Sequence, residues 1–187
     1  MTPKTFTTRE EMVKELIQPG TAGAEVGVYR GGFSRTIYDT CKPAKIFLID
    51  AWEQYKAYEK DSLCHTNQTD NMEATKHNFA SEIRAGKAEV IKGYSSLVAK
   101  GWSTQLDWLF LDSNHAYEFV LEDLIAWSKH IDEGGVIMCH DFTSRPAALA
   151  MGFGVIPAVE TFCEKFGWEV FATTQEPDWP SCALRRK

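Results

Sequence analysis

Short apolar runs rich in β-branched and aromatic residues alternate with amphipathic stretches along the chain. That pattern is the mark of a mostly parallel sheet with helices on both faces. Thr8-Arg-Glu-Glu11 has the spacing of a capping box and opens a helix that Pro19-Gly20 ends. Residues 24–28 read as the first core strand and 33–40 as the helix after it. Lys-Ile-Phe-Leu-Ile-Asp at 45–50 is apolar enough for a strand buried on both faces. Residues 51–70 are polar and aromatic without periodicity. A helix is predicted from near Asn71 to Gly86, strands over 88–92 and 106–111, an amphipathic helix over 117–131 and a strand over 135–140. After a Gly/Pro-rich stretch come a helix at about 156–166 closed by Gly167, then strands over 168–172 and 181–185 joined by a Pro-rich turn.

Five β/α units and a terminal pair of strands make one domain over 1–187. It divides into an N-terminal helix in 1–20, a core in 21–142, and a C-terminal helix and strand pair in 143–187. In an open α/β sheet, ligands sit beyond the carboxyl ends of the strands. Gly27, Asp50, Tyr94, Asp112 and Asp141 all fall at or just past such an end. Their shared position carries more weight than any one of them.

Composition narrows the partners. The net charge of −6, from 20 basic and 26 acidic residues, weighs against duplex nucleic acid, whose binding needs a basic face. No apolar run approaches the ~20 residues of a membrane span, and Met1-Thr-Pro-Lys lacks the apolar centre of a signal peptide. The five cysteines (41, 64, 139, 163 and 182) are odd in number and far apart, which points to reduced thiols in a cytoplasmic protein.

Two groups of residues carry candidate chemistry. In the first, Glu25-x-Gly27-x-x-x-Gly31-Gly32 follows a strand and opens a helix. Its glycines are four residues apart, unlike the Gly-x-Gly-x-x-Gly of a dinucleotide turn that seats a pyrophosphate. The spacing suits a nucleoside cofactor without phosphate, whose amino-acid portion bonds to the turn. Glu25 supports the loop or reaches the ligand's ammonium through water. Asp50 is placed to accept ribose hydroxyls, and Gly93-Tyr94-Ser95 to address a base.

In the second, Leu111-Asp112-Ser-Asn-His115 closes one strand and Cys139-His140-Asp141-Phe142 the next. Neighbouring parallel strands lie about 4.8 Å apart. Asp112 and Asp141 can therefore share a divalent cation, which would orient a substrate hydroxyl. His115 is a candidate base, and His140 either a ligand or a partner that fixes Asp141. Asp112 as a helix cap and Asp123 near a helix N-terminus are the structural readings. Trp108 and Trp127 read as core; Cys64-His65 and His77 match no ligand spacing and read as loop residues.

Glu25-Val-Gly-Val-Tyr-Arg-Gly-Gly-Phe-Ser34, with Leu109-Phe-Leu-Asp-Ser-Asn-His-Ala-Tyr117, Asp123-Leu and Gly134-Gly-Val-Ile-Met-Cys-His-Asp141, resembles the small class I methyltransferases related to macrocin O-methyltransferase. The catechol O-methyltransferase type is a more distant likeness. The resemblance covers roughly 20–142. It implies a Rossmann-like, seven-stranded, mostly parallel sheet with a C-terminal antiparallel pair, S-adenosylmethionine (AdoMet) as methyl donor, and Mg2+-assisted O-methylation of a sugar-like or phenolic hydroxyl on a small molecule. It gives Asp50 the ribose position, and the candidate cofactor contacts as a whole are Glu25, Gly27, Tyr29, Gly31, Ser34, Asp50, Trp52, Gly93, Tyr94, Ser95 and Asp112. By resemblance Asp112 and Asp141 take the metal positions and His115 the base position, with His140, an extra water or no metal at all as the alternatives for what completes the set. Relatives place an acidic or amide third ligand beside the last aspartate; here His140 and Phe142 stand there, and Phe142 cannot ligate.

The competing readings are a metal-independent methyltransferase of the same fold and a nucleoside-binding module without turnover. No nucleic-acid or membrane partner is expected, and a homodimer is one assembly the reading allows. Segments 51–70 and 142–155 are the candidate lids, with Trp52, Tyr55 and Tyr58 in one and Arg145 and Phe153 in the other.

Overall fold

A computed structural model describes residues 2–54 and 66–187. Along the chain run β1 (Lys4–Phe6), α1 (Arg9–Leu16), β2 (Ala22–Val26), α2 (Gly32–Cys41), β3 (Lys45–Asp50), α3 (Gln68–Asn78), α4 (Ala80–Arg84), β4 (Ala88–Lys92) and α5 (Ser95–Lys100). There follow β5 (Leu106–Leu111), α6 (Tyr117–Trp127), β6 (Ile131–Cys139), α7 (Pro146–Ala150), α8 (Val155–Phe166), β7 (Trp168–Thr174) and β8 (Cys182–Arg186). Among the described residues, one sheet takes all the strands in the order β1-β7-β8-β6-β5-β2-β3-β4. Only β8 runs against its neighbours, β6 and β7.

Each central strand feeds both faces. Alternation in β5 sends Trp108 and Phe110 to the layer holding Met12, Val13, Ile37 and Phe79, and Leu109 and Leu111 to the layer holding Leu124, Trp127, Val159 and Phe162. Helices α1 and α2 thus cover one face, and α6 and α8 the other. Trp108 and Trp127 are both core, as predicted.

The structure departs from the sequence reading where elements are short. The sheet has eight strands rather than seven, because β1, three residues long, pairs parallel to β7 at the edge. The short α5 and α7 were not anticipated either. No periodicity can be read from so few residues. The predicted helix near 71–86 begins at Gln68, because Asn67 caps it by accepting from Thr69 N and Asp70 N, and it breaks at buried Phe79. The helix predicted to reach Ile131 ends at Trp127, and β6 begins at Ile131. Strand β2 spans 22–26, since Gly27 leaves the extended region with φ +90°. Gly167 does close α8, with φ +73°.

The strand order reverses between β2 and β5, and all the parallel strands present their carboxyl ends on one edge. That edge is the switch-point crevice of an open α/β sheet.

Candidate active site

On one side of the crevice, backbone geometry does most of the work. Gly27 cannot carry a side chain: a Cβ there would lie 2.0 Å from Asp112 O, at a φ that L-residues avoid. Gly31 N-caps α2 in the left-handed region. The carboxylate of Asp50 gathers the turn. Its Oδ2 accepts from Val28 N and Tyr29 N, both at 2.8 Å, and its Oδ1 from Trp52 N at 2.8 Å. Three of its roughly four lone-pair positions are therefore used, leaving about one for a ligand hydroxyl. Trp52 is buried and donates from Nε1 to Tyr29 O, which Thr75 also reaches. Beneath the turn, buried Glu25 accepts from Ser34 Oγ. Burial, opposed by that bond and reinforced by Asp112, raises its pKa to about 8.

Strain gathers here. Tyr29, Trp52 and Asp141 have φ of 55°, 40° and 56°. A non-glycine residue in this region costs roughly 1–3 kcal/mol and persists only where its surroundings impose it.

The other side is built from side chains. His115 Nε2 lies 2.7 Å from Asp141 Oδ2 and 3.4 Å from Asp112 Oδ1. His140 Nδ1 lies 3.3 Å from Asp112 Oδ1 and 3.2 Å from Asp141 Oδ1. Asp112, His115 and Asp141 each offer one ligand atom within 4.8 Å of the others. Burial opposes the charge on all four groups, and their mutual pairing outweighs it. Both carboxylates fall below their usual range, while His115 rises to about 9 and His140 to about 10.

One contact runs against that last shift. Arg9 Nη1 sits 2.7 Å from His140 Nε2, and arginine can only donate, so this nitrogen must offer a lone pair. The proton of His140 is then assigned to Nδ1, which faces the two aspartates at 3.2–3.3 Å without forming a hydrogen bond to either. Arg9 comes from the first turn of α1 and was missed in the sequence reading. Its only signal there was a place in the capping segment, and the fold alone brings α1 across to β6.

Several other sequence candidates fall into place around the centre. The His115 ring stacks on Phe153 at 4.3 Å, and Phe153 tilts toward Trp179 at 5.8 Å. Arg145 pairs with Asp178 and bonds to Pro177 O, tying the segment after β6 to the β7–β8 loop. The Ser95 Oγ turns inward, accepting from Trp127 Nε1 at 2.8 Å and also bonding to Asp123. One reading needs correction. Asp123 is not near the start of α6 but midway along it; it is buried, bonded to Ser113, and raised by burial to about 6. Tyr94 is 42% exposed and donates to Glu53. Gly93 N bonds to Asp50 O, extending the ladder by one step. His77 lies exposed on α3. Tyr55, Tyr58, Cys64 and His65 lie outside the described residues. The other four cysteines are free thiols, and no described helix is long and apolar enough to cross a membrane.

Comparison with known proteins identifies the family and the fold. Residues 24–142 match the model of a family described as a methyltransferase domain, a span running from β2 to just past Asp141. Among solved structures, the ribosomal protein L11 methylase of Lactobacillus delbrueckii subsp. bulgaricus aligns at TM-score 0.63 and 15% identity, over 95% of this chain and 76% of that one. The TrmK of M. capricolum, solved with S-adenosyl-homocysteine, aligns at 0.65 and 11%, over 97% and 69%. The precorrin-6y C5,15-methyltransferase of Geobacter metallireducens GS-15 aligns at 0.63 and 13%, over 95% and 86%. At such identities the likeness is one of fold.

Proposed function

The chain belongs to the methyltransferase-domain family, and from that premise we propose that it is an AdoMet-dependent O-methyltransferase acting on a ring-bearing small molecule with divalent-cation assistance. The observation that carries the reading is the convergence of Asp112, His115 and Asp141 beside the Gly27 turn. When bound, AdoMet supplies an electrophilic methyl group and the cation supplies positive charge for an acceptor oxygen. Two carboxylates and one imidazole within 4.8 Å are a donor set that fits a divalent ion; the nitrogen makes Mn2+ as fair a candidate as Mg2+. Asp112, Asp141 and His115 would hold it. His140 would stay outside, since the Arg9 contact leaves its Nδ1 protonated.

On the donor side, the open turn at Gly27 lets a ligand approach the backbone, and Asp50 has room for one ribose hydroxyl. On the acceptor side, the Phe153–Trp179 wall beside His115 favours a flat or ring-shaped molecule. Two of the structural relatives are named for ribosomal-protein and precorrin methylation; the net charge of −6 weighs against a nucleic-acid acceptor here. Kinship with the macrocin type in particular rests on the motif from Asp112 to Asp141.

A second reading has its own support. His115 Nε2 at 2.7 Å from Asp141 Oδ2 is also a carboxylate-oriented base, which would need no metal. Methyl transfer from labelled AdoMet to phenolic and sugar-like acceptors decides between them. Under the first reading, chelation abolishes turnover and Mg2+ or Mn2+ restores it. Under the second, turnover survives chelation but falls at least a hundredfold in His115→Ala.

A further inference from the structure

Arg9 is placed as though for a ligand. Its backbone is fixed at the first turn of α1, where Arg9 N donates to Glu176 Oε2 at 3.1 Å, a carboxylate that Thr174 also holds. Its guanidinium lies over the Phe33 ring at 4.4 Å, beside the start of α2. Among the described residues, one of its five N–H donors is committed, from Nη1 to His140. Nε is buried without a hydrogen-bond partner and forms an ion pair with Glu10, whose Oε1 lies 3.7 Å away, outside hydrogen-bond distance. Glu25, the buried acid nearby, is occupied by Ser34.

We propose that Arg9 is the receptor for a ligand carboxylate, held over Phe33 between the glycine turn and His140. A planar fork with free donors, packed on an aromatic face and fixed at its backbone, is preorganised for a carboxylate in a way a lysine would not be. The chemistry has two sources: the methionyl carboxylate of the donor, which rests on the AdoMet reading, or a carboxylate on the acceptor. The donor source fits the position of Phe33, one residue into the helix that the cofactor turn opens.

Calorimetric binding separates them, using S-adenosylhomocysteine, 5′-methylthioadenosine (the same nucleoside without the amino-acid carboxylate) and benzoate. The proteins are wild type, Arg9→Gln and Arg9→Lys. If Arg9 holds the donor carboxylate, Arg9→Gln weakens S-adenosylhomocysteine at least tenfold and leaves methylthioadenosine within twofold, with Arg9→Lys between. Methylthioadenosine binding also reports that the variant site is intact. If Arg9 serves the acceptor instead, both nucleosides bind unchanged and benzoate is lost in Arg9→Gln. Loss of none of the three, or equal loss of both nucleosides, overturns the proposal. If wild type binds neither nucleoside, the cofactor reading fails, and benzoate alone decides the role of Arg9.

Discussion

The two halves of the crevice are held in different ways. Around Gly27 and Asp50 the crevice wall is backbone, shaped by a glycine and gathered by one carboxylate taking three N–H groups. Around Asp112 and Asp141 it is side chains from three segments, two aspartates and two histidines pairing with one another while Arg9 closes the set. The halves meet where Gly27 lies against Asp112 O, so the floor of one is the wall of the other. The contrast teaches where tolerance should lie. A backbone surface fails as a whole when its glycine is changed, whereas a side-chain cluster loses chemistry one group at a time.

The largest effect should come at that shared boundary. Gly27→Ala drives a methyl to 2.0 Å from a backbone oxygen at φ +90°, and should cost about 3 kcal/mol or more. Urea unfolding measures it; a loss under about 1 kcal/mol would mean the two halves are not in contact.

Next comes the reaction end. Asp141→Ala removes the partner that both histidines face and should cost about 3 kcal/mol, with loss of turnover. Asp141→Gly should be equally inactive yet more stable than the alanine variant by about 1 kcal/mol, because φ 56° suits glycine. If alanine proves the more stable of the two, the strained backbone at this strand end is not real.

The smallest effect sharpens the cofactor half. Ser95→Ala leaves Trp127 Nε1 without its acceptor and should cost about 1 kcal/mol, while S-adenosylhomocysteine binds as before. A tenfold loss of binding would support the base-contact role that the sequence suggested.

Legibility followed the same division. Strands β3, β4 and β5 and the glycine turn were readable because a buried strand is a continuous apolar run and a glycine declares where the chain must turn. Asp112, His115 and Asp141 were readable as a group, since neighbouring strand ends must lie together. Which partner each one takes was not, because it depends on rotamers and on Arg9, more than a hundred residues away in sequence. The partner of the Ser95 hydroxyl was hidden for a related reason: a hydroxyl just past a strand end is as easily turned inward to a core tryptophan as outward to a ligand. Element β1 escaped because three residues carry no period and its partner, β7, lies at the far end of the chain.

The central claim is that the Gly27 turn and its surroundings hold AdoMet. Thermal unfolding with AdoMet, and separately with S-adenosylhomocysteine, at ~100 times the dissociation constant should show a stabilisation of about 2.7 kcal/mol. The same addition to Gly27→Ala should give none. No shift in the wild-type protein with either compound, at millimolar concentration, would contradict the account.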